Sequence, residues 1–212
     1  MQVWYAHMLT TVLLLTGKQD GVSLSYQDRG WPTFERLVSM ILTPSTRNVW
    51  PMIVDVGAMP DDAETMPDDG YCKRLVPMTV DRFAATIREK KFTNNADVEL
   101  VIGLYKKTVE SVLSKAPNLK MYNNKHWGDA EMRELVEVLP MCAEATELGI
   151  VNSFHEVTAE GVGVLTRCVD AGEPPKLKKI LLGSSMDAWQ NISSFEELRA
   201  ACERRGIDLT KI

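Results

Sequence analysis

The chain has 212 residues, of which 45% are hydrophobic and 25% charged, enough for one large or two small globular domains with a sizeable core. Its net charge of −5 excludes a general nucleic-acid binder, which needs a basic face toward the phosphates. Since no apolar run reaches the ~20 residues of a membrane helix, we expect no membrane partner either.

The cysteines and histidines predict no metal site. The four cysteines form no C-x-x-C pair, and the three histidines are scattered, so no zinc-like cluster is expected. Core thiols in a reducing compartment, the cytoplasm, are the expected reading of Cys72, Cys142, Cys168 and Cys202. Residues 8–16 are mostly apolar, but no Lys or Arg precedes them and no A-x-A-like site follows, which favours a strand over a signal peptide.

The first third of the chain predicts two parallel strands joined by a helix. Residues 10–16 are a short apolar run without alternation, which is typical of a fully buried strand. A helix is predicted from Trp31-Pro32, with proline at the first helical position and an apolar stripe at Phe34, Leu37, Val38 and Ile41. Residues 49–57 predict the second strand.

The next segment predicts a loop followed by two helices. Residues 59–72 are rich in Asp, Pro and Gly without the alternating ligands of a calcium loop, so a solvated loop is expected. Thr79 is predicted to cap a helix with Val80, Phe83, Ala84 and Ile87 on its buried face. A longer helix is predicted from Asp97, with Asn94 or Asn95 as its cap.

From residue 116 the chain repeats itself three times with one internal spacing. The copies are Ala116-Leu119-Met121-Asn124, Ala145-Leu148-Ile150-Ser153 and Leu177-Ile180-Leu182-Ser185. In each copy the L-x-L pair predicts a short strand with two inward side chains, and the Asn or Ser is placed to bond backbone groups as the chain turns away.

An amphipathic helix is predicted after each of these strands. Asp129 and Thr158 are the expected caps of the first two, and Ser194-x-x-Glu197 predicts a capping box for the third. The last residues, 206–212, are expected to shield the end of the array.

The repeating pattern resembles leucine-rich repeats of the ribonuclease-inhibitor-like class over residues 116 to about 209. That resemblance implies a strand-lined surface that binds a protein. The contacts it implies are exposed residues beside the strands, namely Lys120, Tyr122, Gly149, Val151 and Leu181.

Residues 10–56 are similar to part of Toll/interleukin-1-receptor (TIR) domains. The matching pieces are the first strand, Tyr26, the motif Trp31-x-x-x-Glu35 that opens the helix, and the second strand with Pro51. The resemblance implies that Glu35 is the catalytic residue of an NAD-cleaving hydrolase, with Tyr26, Arg29 and Trp31 at its binding site.

The same residues have alternative structural explanations. Glu35 could pair with Arg29 or Arg36, or favour the helix dipole from the first turn. Trp31 could have a packing role in the fold in place of a role in binding. Asp55 would be costly to bury unpaired, so an ion pair with Arg29 or Arg36 is expected.

Together these patterns predict an α/β protein in two parts with one continuous core. Residues 1–115 are expected to form an incomplete Rossmann- or TIR-like layer with two packing helices, and residues 116–212 a three-repeat stack. A protein-interaction or scaffold module, as a piece of a larger signalling protein, is favoured over an enzyme. No cofactor is expected unless the NAD-cleaving alternative holds.

Overall fold

A computed structural model of the chain describes residues 10–17, 21, 23–41, 53–60, 74–122, 124, 126–151, 156–183 and 193–211. The chain is an α/β protein that divides into two compact units, Met1–Ser111 and Val112–Ile212. The acidic segment 61–73 with Cys72, the repeat residues Ser153 and Ser185, and the first part of the predicted strand 49–57 lie outside the described residues.

The first unit contains the predicted strand–helix–strand motif. Strands β1 (Val12–Leu14) and β2 (Ile53–Asp55) are parallel, with Val12 opposite Ile53, and helix α1 (Gly30–Ser39) lies between them in the chain. β1 is shorter than the sequence predicted, and β2 ends at Asp55, two residues before the end of the predicted strand 49–57. A cluster of Leu14, Met40 and Ile53 forms the core beside them.

The prediction that residues 10–16 form a fully buried strand was wrong. Leu14 is buried, but Leu13 and Leu15 are 61% and 70% exposed. Successive side chains of a strand point to opposite faces of its sheet, and the described sheet has only two strands. One face of β1 is therefore left uncovered by the described residues.

Helix α1 buries the predicted stripe of Phe34, Leu37 and Val38, and Ile41 is buried just beyond its end. Pro32 is the third helical residue rather than the first, and it still falls in the turn where no N–H partner is needed. At the other end, the wholly buried Arg74 donates from Nε to the Met40 carbonyl (3.1 Å) and from Nη2 to that of Ile41 (2.7 Å). Burial lowers the pKa of Arg74 to about 10.

Helices α2 (Val80–Arg88) and α3 (Asp97–Leu113) confirm the next two predictions. The Thr79 hydroxyl accepts from the Arg82 N–H at the start of α2, and Asn94 Oδ1 accepts from the Ala96 N–H just before α3. Phe83 of α2 stacks on Tyr105 of α3 with ring centroids 3.8 Å apart. Because these rings are fully buried, they fix the two helices against each other.

The second unit is a four-stranded parallel sheet whose strands follow each other in chain order. Its strands are β3 (Asn118–Tyr122), β4 (Glu147–Val151), β5 (Lys179–Leu182) and β6 (Asp208–Lys211). The helices α4 (Asp129–Val138), α5 (Ala159–Asp170) and α6 (Phe195–Arg204) connect them, one after each of the first three strands.

The register of the sheet follows the sequence repeat. Leu119 lies opposite Leu148, which lies opposite Ile180, so the first apolar residue of each copy occupies the same row. All three are buried, as are Met121, Ile150 and Leu182 in the second row. The last residues do not merely shield the array, because Asp208–Lys211 extends the sheet with Leu209 opposite Ile180.

The starts of the helices are joined across the repeats, which corrects two predicted caps. Gly128, not Asp129, is the N-cap of α4, and the Asp129 carboxylate instead accepts from the Thr158 N–H and hydroxyl at 2.8 and 2.6 Å. Thr158 caps α5 as predicted. Ser194 makes no capping bond, and its hydroxyl donates to the Ala159 carbonyl of the preceding helix at 3.1 Å.

The described cysteines fit the prediction of unpaired core thiols. Cys142 and Cys202 are buried, Cys168 is half-buried, and all three are free. No helix within the described ranges is long and apolar enough to cross a membrane.

Candidate functional site

The outer face of the second unit's sheet carries a row of polar side chains near the start of the strands. Asn118, Glu147, Lys179 and Asp208 stand opposite one another in register, so the charges alternate in sign along this row. Lys120 is exposed on the same face, one row further along. We call these five residues the polar row surface.

Further along the strands, residues of the outer face are less exposed, and two of the predicted contact residues are buried. The half-buried Tyr122 ring lies over Gly149 on the next strand, where a Cβ would meet the ring. Val151 lies in the same way against Gly183, and Leu181 is only 8% exposed. Gly149 and Leu181 were therefore wrongly predicted to be exposed, and the Tyr122 ring covers Gly149.

The environment of Tyr122 shifts its titration. Burial raises the pKa of the Tyr122 hydroxyl, and the nearby Glu147 carboxylate raises it further. Both effects favour the neutral phenol, which a tyrosine already is at physiological pH. A half-buried neutral tyrosine beside a charged row offers a partner apolar area and a hydrogen bond together.

Asn124 occupies the polar position at the end of the first repeat and is fully buried. Its Nδ2 donates to the Tyr122 carbonyl at 3.1 Å, as the sequence predicted for a short polar side chain where the chain leaves the strand. The bond holds the backbone that carries Tyr122.

A separate cleft of about 680 Å³ lies in the first unit, at the start of helix α1. Its lining includes Leu24, Arg29, Gly30, Trp31, Lys91 and Phe92. We call it the Arg29 cleft. Two of the residues that the sequence singled out, Arg29 and Trp31, are thus brought together with two that it did not, Lys91 and Phe92.

The other residues of the TIR-like motif lie elsewhere. Glu35 is half-buried and is not among the described residues that line the Arg29 cleft. Tyr26 packs against the core cluster of Leu14, Met40 and Ile53. The structure therefore places Tyr26 in a packing role and does not join Glu35 to the cleft.

Asp55 has a different partner from the predicted arginines. Its Oδ1 accepts a hydrogen bond from the Thr16 hydroxyl at 2.5 Å, which ties the carboxyl ends of the two parallel strands together. Gly17 and Gly57 follow these residues, and a Cβ on Gly57 would overlap the Gly17 backbone. The side chain of Asp55 is thus satisfied locally at a close approach of two strands.

Among the described residues, no group of three or more His, Cys, Asp or Glu side chains could hold a metal ion. Comparison with family models, with curated proteins and with solved structures found no match to this chain.

The sequence carried a signal for only some of the residues that matter here. A glycine within a strand often marks a close approach, so Gly149 could have been recognised. Lys91 and Phe92 carried no such signal, because they reach the cleft through a backbone bridge to Arg29, 62 residues earlier in the chain.

Proposed function

We propose that this protein is a protein-interaction module that binds its partner through the polar row surface. One observation carries the proposal: four parallel strands in chain order present four polar side chains in register on one face, with Lys120 one row further along, while the other face is the apolar core. Such a surface is rigid, because every side chain stands on a hydrogen-bonded strand.

The repeats support a leucine-rich-repeat-like construction for this module. Three copies with the same internal spacing occupy the same rows of the sheet, and each strand of the first three is followed by a helix. The buried Asn124 bonds the backbone at the turn of its repeat. Arrays of this kind characteristically use their strand face for binding.

The alternation of charge defines the partner that we propose. Four strands spaced about 4.8 Å apart place Asn118 and Asp208 roughly 14 Å from each other. A protein surface with the opposite charge at each position fits this row, with basic groups near Glu147 and Asp208 and an acidic group near Lys179. Charges arranged in this way contribute to specificity and to the rate of encounter more than to affinity.

We also propose that the module works in the cytoplasm. The free thiols of Cys142, Cys168 and Cys202 support this location, since a reducing compartment keeps such thiols unpaired.

The experiment compares two charge reversals on the surface with one on the helix layer. Lys120→Glu and Lys179→Glu alter the polar row surface, whereas Arg167→Glu changes an exposed residue of helix α5. Proteins that cross-link to the wild type in cells are identified, and a candidate is then purified and titrated against each variant.

The proposal predicts a purified partner whose affinity falls about tenfold or more for each surface variant and less than about twofold for Arg167→Glu. The proposal would be contradicted by an equal loss of affinity for all three variants. It would also be contradicted if no partner bound with an affinity that depends on Lys120 and Lys179. Circular dichroism and thermal unfolding of each variant confirm that its fold is retained.

A further inference from the structure

Two cationic side chains are brought together in the Arg29 cleft by a pair of backbone hydrogen bonds. The Gly30 N–H donates to the Lys91 carbonyl at 2.9 Å, and the Lys91 N–H donates to the Asp28 carbonyl at 2.8 Å. This parallel bridge places Arg29 beside Lys91 although they are distant in the chain. The Arg29 guanidinium is in turn held by the Leu24 carbonyl, which accepts from Nη2 at 3.1 Å.

Two aromatic rings complete the wall of the cleft. Trp31 is 36% exposed, but it is fixed in place, because its Nε1 donates to the Asp97 carboxylate at 2.9 Å and its ring meets Phe34 edge-on. Phe92 lies over Gly30, where any Cβ would overlap its ring. Both rings are therefore oriented before a ligand arrives, which reduces the entropy lost on binding.

The charges of the cleft point to the sign of its ligand. Arg29 and Lys91 line it, and no acidic residue is among its described lining, in a chain whose net charge is −5. Two carboxylates lie close by without lining the cleft: Asp28 accepts from the Ser25 hydroxyl at 2.7 Å, and Asp97 accepts from Trp31 Nε1 at 2.9 Å. Among the described residues, the Arg29 cleft is thus a cationic, aromatic-walled recess.

We propose that the Arg29 cleft binds a small organic anion with a flat aromatic ring, its acid group between Arg29 and Lys91 and its ring against Trp31 and Phe92. A cleft of about 680 Å³ falls within the range of small-molecule sites. Arginine suits the planar acid group because its guanidinium presents paired N–H donors, and lysine adds a second, mobile charge. This site is independent of the polar row surface.

The test uses a pair of probes that differ only in charge. The protein is titrated with 2-naphthoate and with its uncharged amide, 2-naphthamide, by calorimetry and by NMR of the tryptophan indole N–H signals. Naphthoate is expected to bind saturably, to shift the Trp31 signal, and to bind at least about threefold more tightly than the amide. Its affinity should fall with rising salt, because the site is exposed.

Matched variants separate the cleft from general surface charge. Arg29→Gln and Lys91→Gln should each weaken naphthoate binding about threefold or more and leave the amide unchanged. Lys90→Gln removes the same charge one residue away from the cleft lining and should change neither affinity. Trp31→Leu should weaken both probes, since the ring contact is shared.

Three results would overturn the proposal. They are the absence of saturable naphthoate binding up to about 10 mM, equal affinity for acid and amide, and an equal loss on Lys90→Gln and Lys91→Gln. The NMR spectrum of each variant shows whether it is folded. If Trp31→Leu fails to fold, the charge variants and the amide comparison still decide the question.

Discussion

The Asp129 carboxylate, on the first residue of helix α4, accepts hydrogen bonds from both the backbone N–H and the hydroxyl of Thr158, which caps helix α5. It also accepts from the Gly161 N–H at 3.1 Å. One side chain therefore accepts from donors at the start of the next helix, where the backbone N–H groups have no intrahelical acceptor.

We expect Asp129→Asn to lower the free energy of unfolding by about 1 kcal/mol near neutral pH, because a carboxylate accepts at both oxygens and an amide does not. Burial alone would raise the pKa of Asp129, but the bonds from Thr158 and Gly161, with the nearby Arg133, lower it below the ordinary 3.8. The stabilisation is thus complete above that value and is lost as the pH falls through the folded pKa.

Urea denaturation between about pH 6 and pH 3 measures this effect. The difference between wild type and Asp129→Asn should shrink as the pH drops below about 4. Glu203→Gln, which removes an exposed carboxylate of helix α6, is the control for general charge effects. A difference that stays constant across the range would contradict the prediction.

Gly149→Ala should destabilise the protein by about 1–3 kcal/mol, because the new methyl group must displace the Tyr122 ring. Gly103→Ala is the matched control. It lies in helix α3 with no atom within 4 Å of its Cβ position, so alanine should stabilise the helix by up to about 1 kcal/mol. Thermal unfolding of both variants checks the opposite signs, and a neutral Gly149→Ala would count against the observed packing.

Arg74→Met should lower the free energy of unfolding by about 2–4 kcal/mol, since the buried carbonyls of Met40 and Ile41 lose their donors. Arg88→Met provides the comparison, because this side chain is 56% exposed and pairs with Glu99 at the surface. Its expected effect is below about 0.5 kcal/mol. Denaturant unfolding of the two variants tests the contrast, and similar losses would show that burial of Arg74 is not decisive.

Incubation with NAD tests the hydrolase alternative. We expect no nicotinamide release that depends on Glu35, because Glu35 does not line the Arg29 cleft among the described residues. Chromatography of reactions with the wild type and with Glu35→Gln measures the product. Release by the wild type that disappears in the variant would establish the activity and reopen the TIR-like interpretation.

The sequence predicted those parts of the fold that depend on local periodicity. The spacing of Leu119, Leu148 and Ile180 predicted three short strands with inward side chains, and the structure places these three residues in one row of the sheet. The stripe of Phe34, Leu37 and Val38 likewise predicted the buried face of α1. Each of these needs only the repeat of a helix or a strand.

Features that depend on long-range contacts were not predictable in this way. Ser194 matched a capping motif, but the neighbouring helix supplies a carbonyl that its hydroxyl bonds instead. Asp55 was assigned an arginine because an ion pair was the obvious partner, and a threonine from the adjacent strand end satisfies it. Lys91 is placed at the Arg29 cleft by backbone pairing, which requires no particular residue type and therefore gives no signal in the sequence.

The chain-ordered sheet has a mechanical consequence. Partners in adjacent strands, such as Lys120, Gly149, Leu181 and Thr210, are separated by 29 to 32 residues, and within the described residues each strand of this sheet pairs only with its neighbours in chain order. When the last strand is pulled, it can leave without loosening the first two. Under force the second unit would therefore unravel one repeat at a time, each step releasing roughly 100 Å of extended chain.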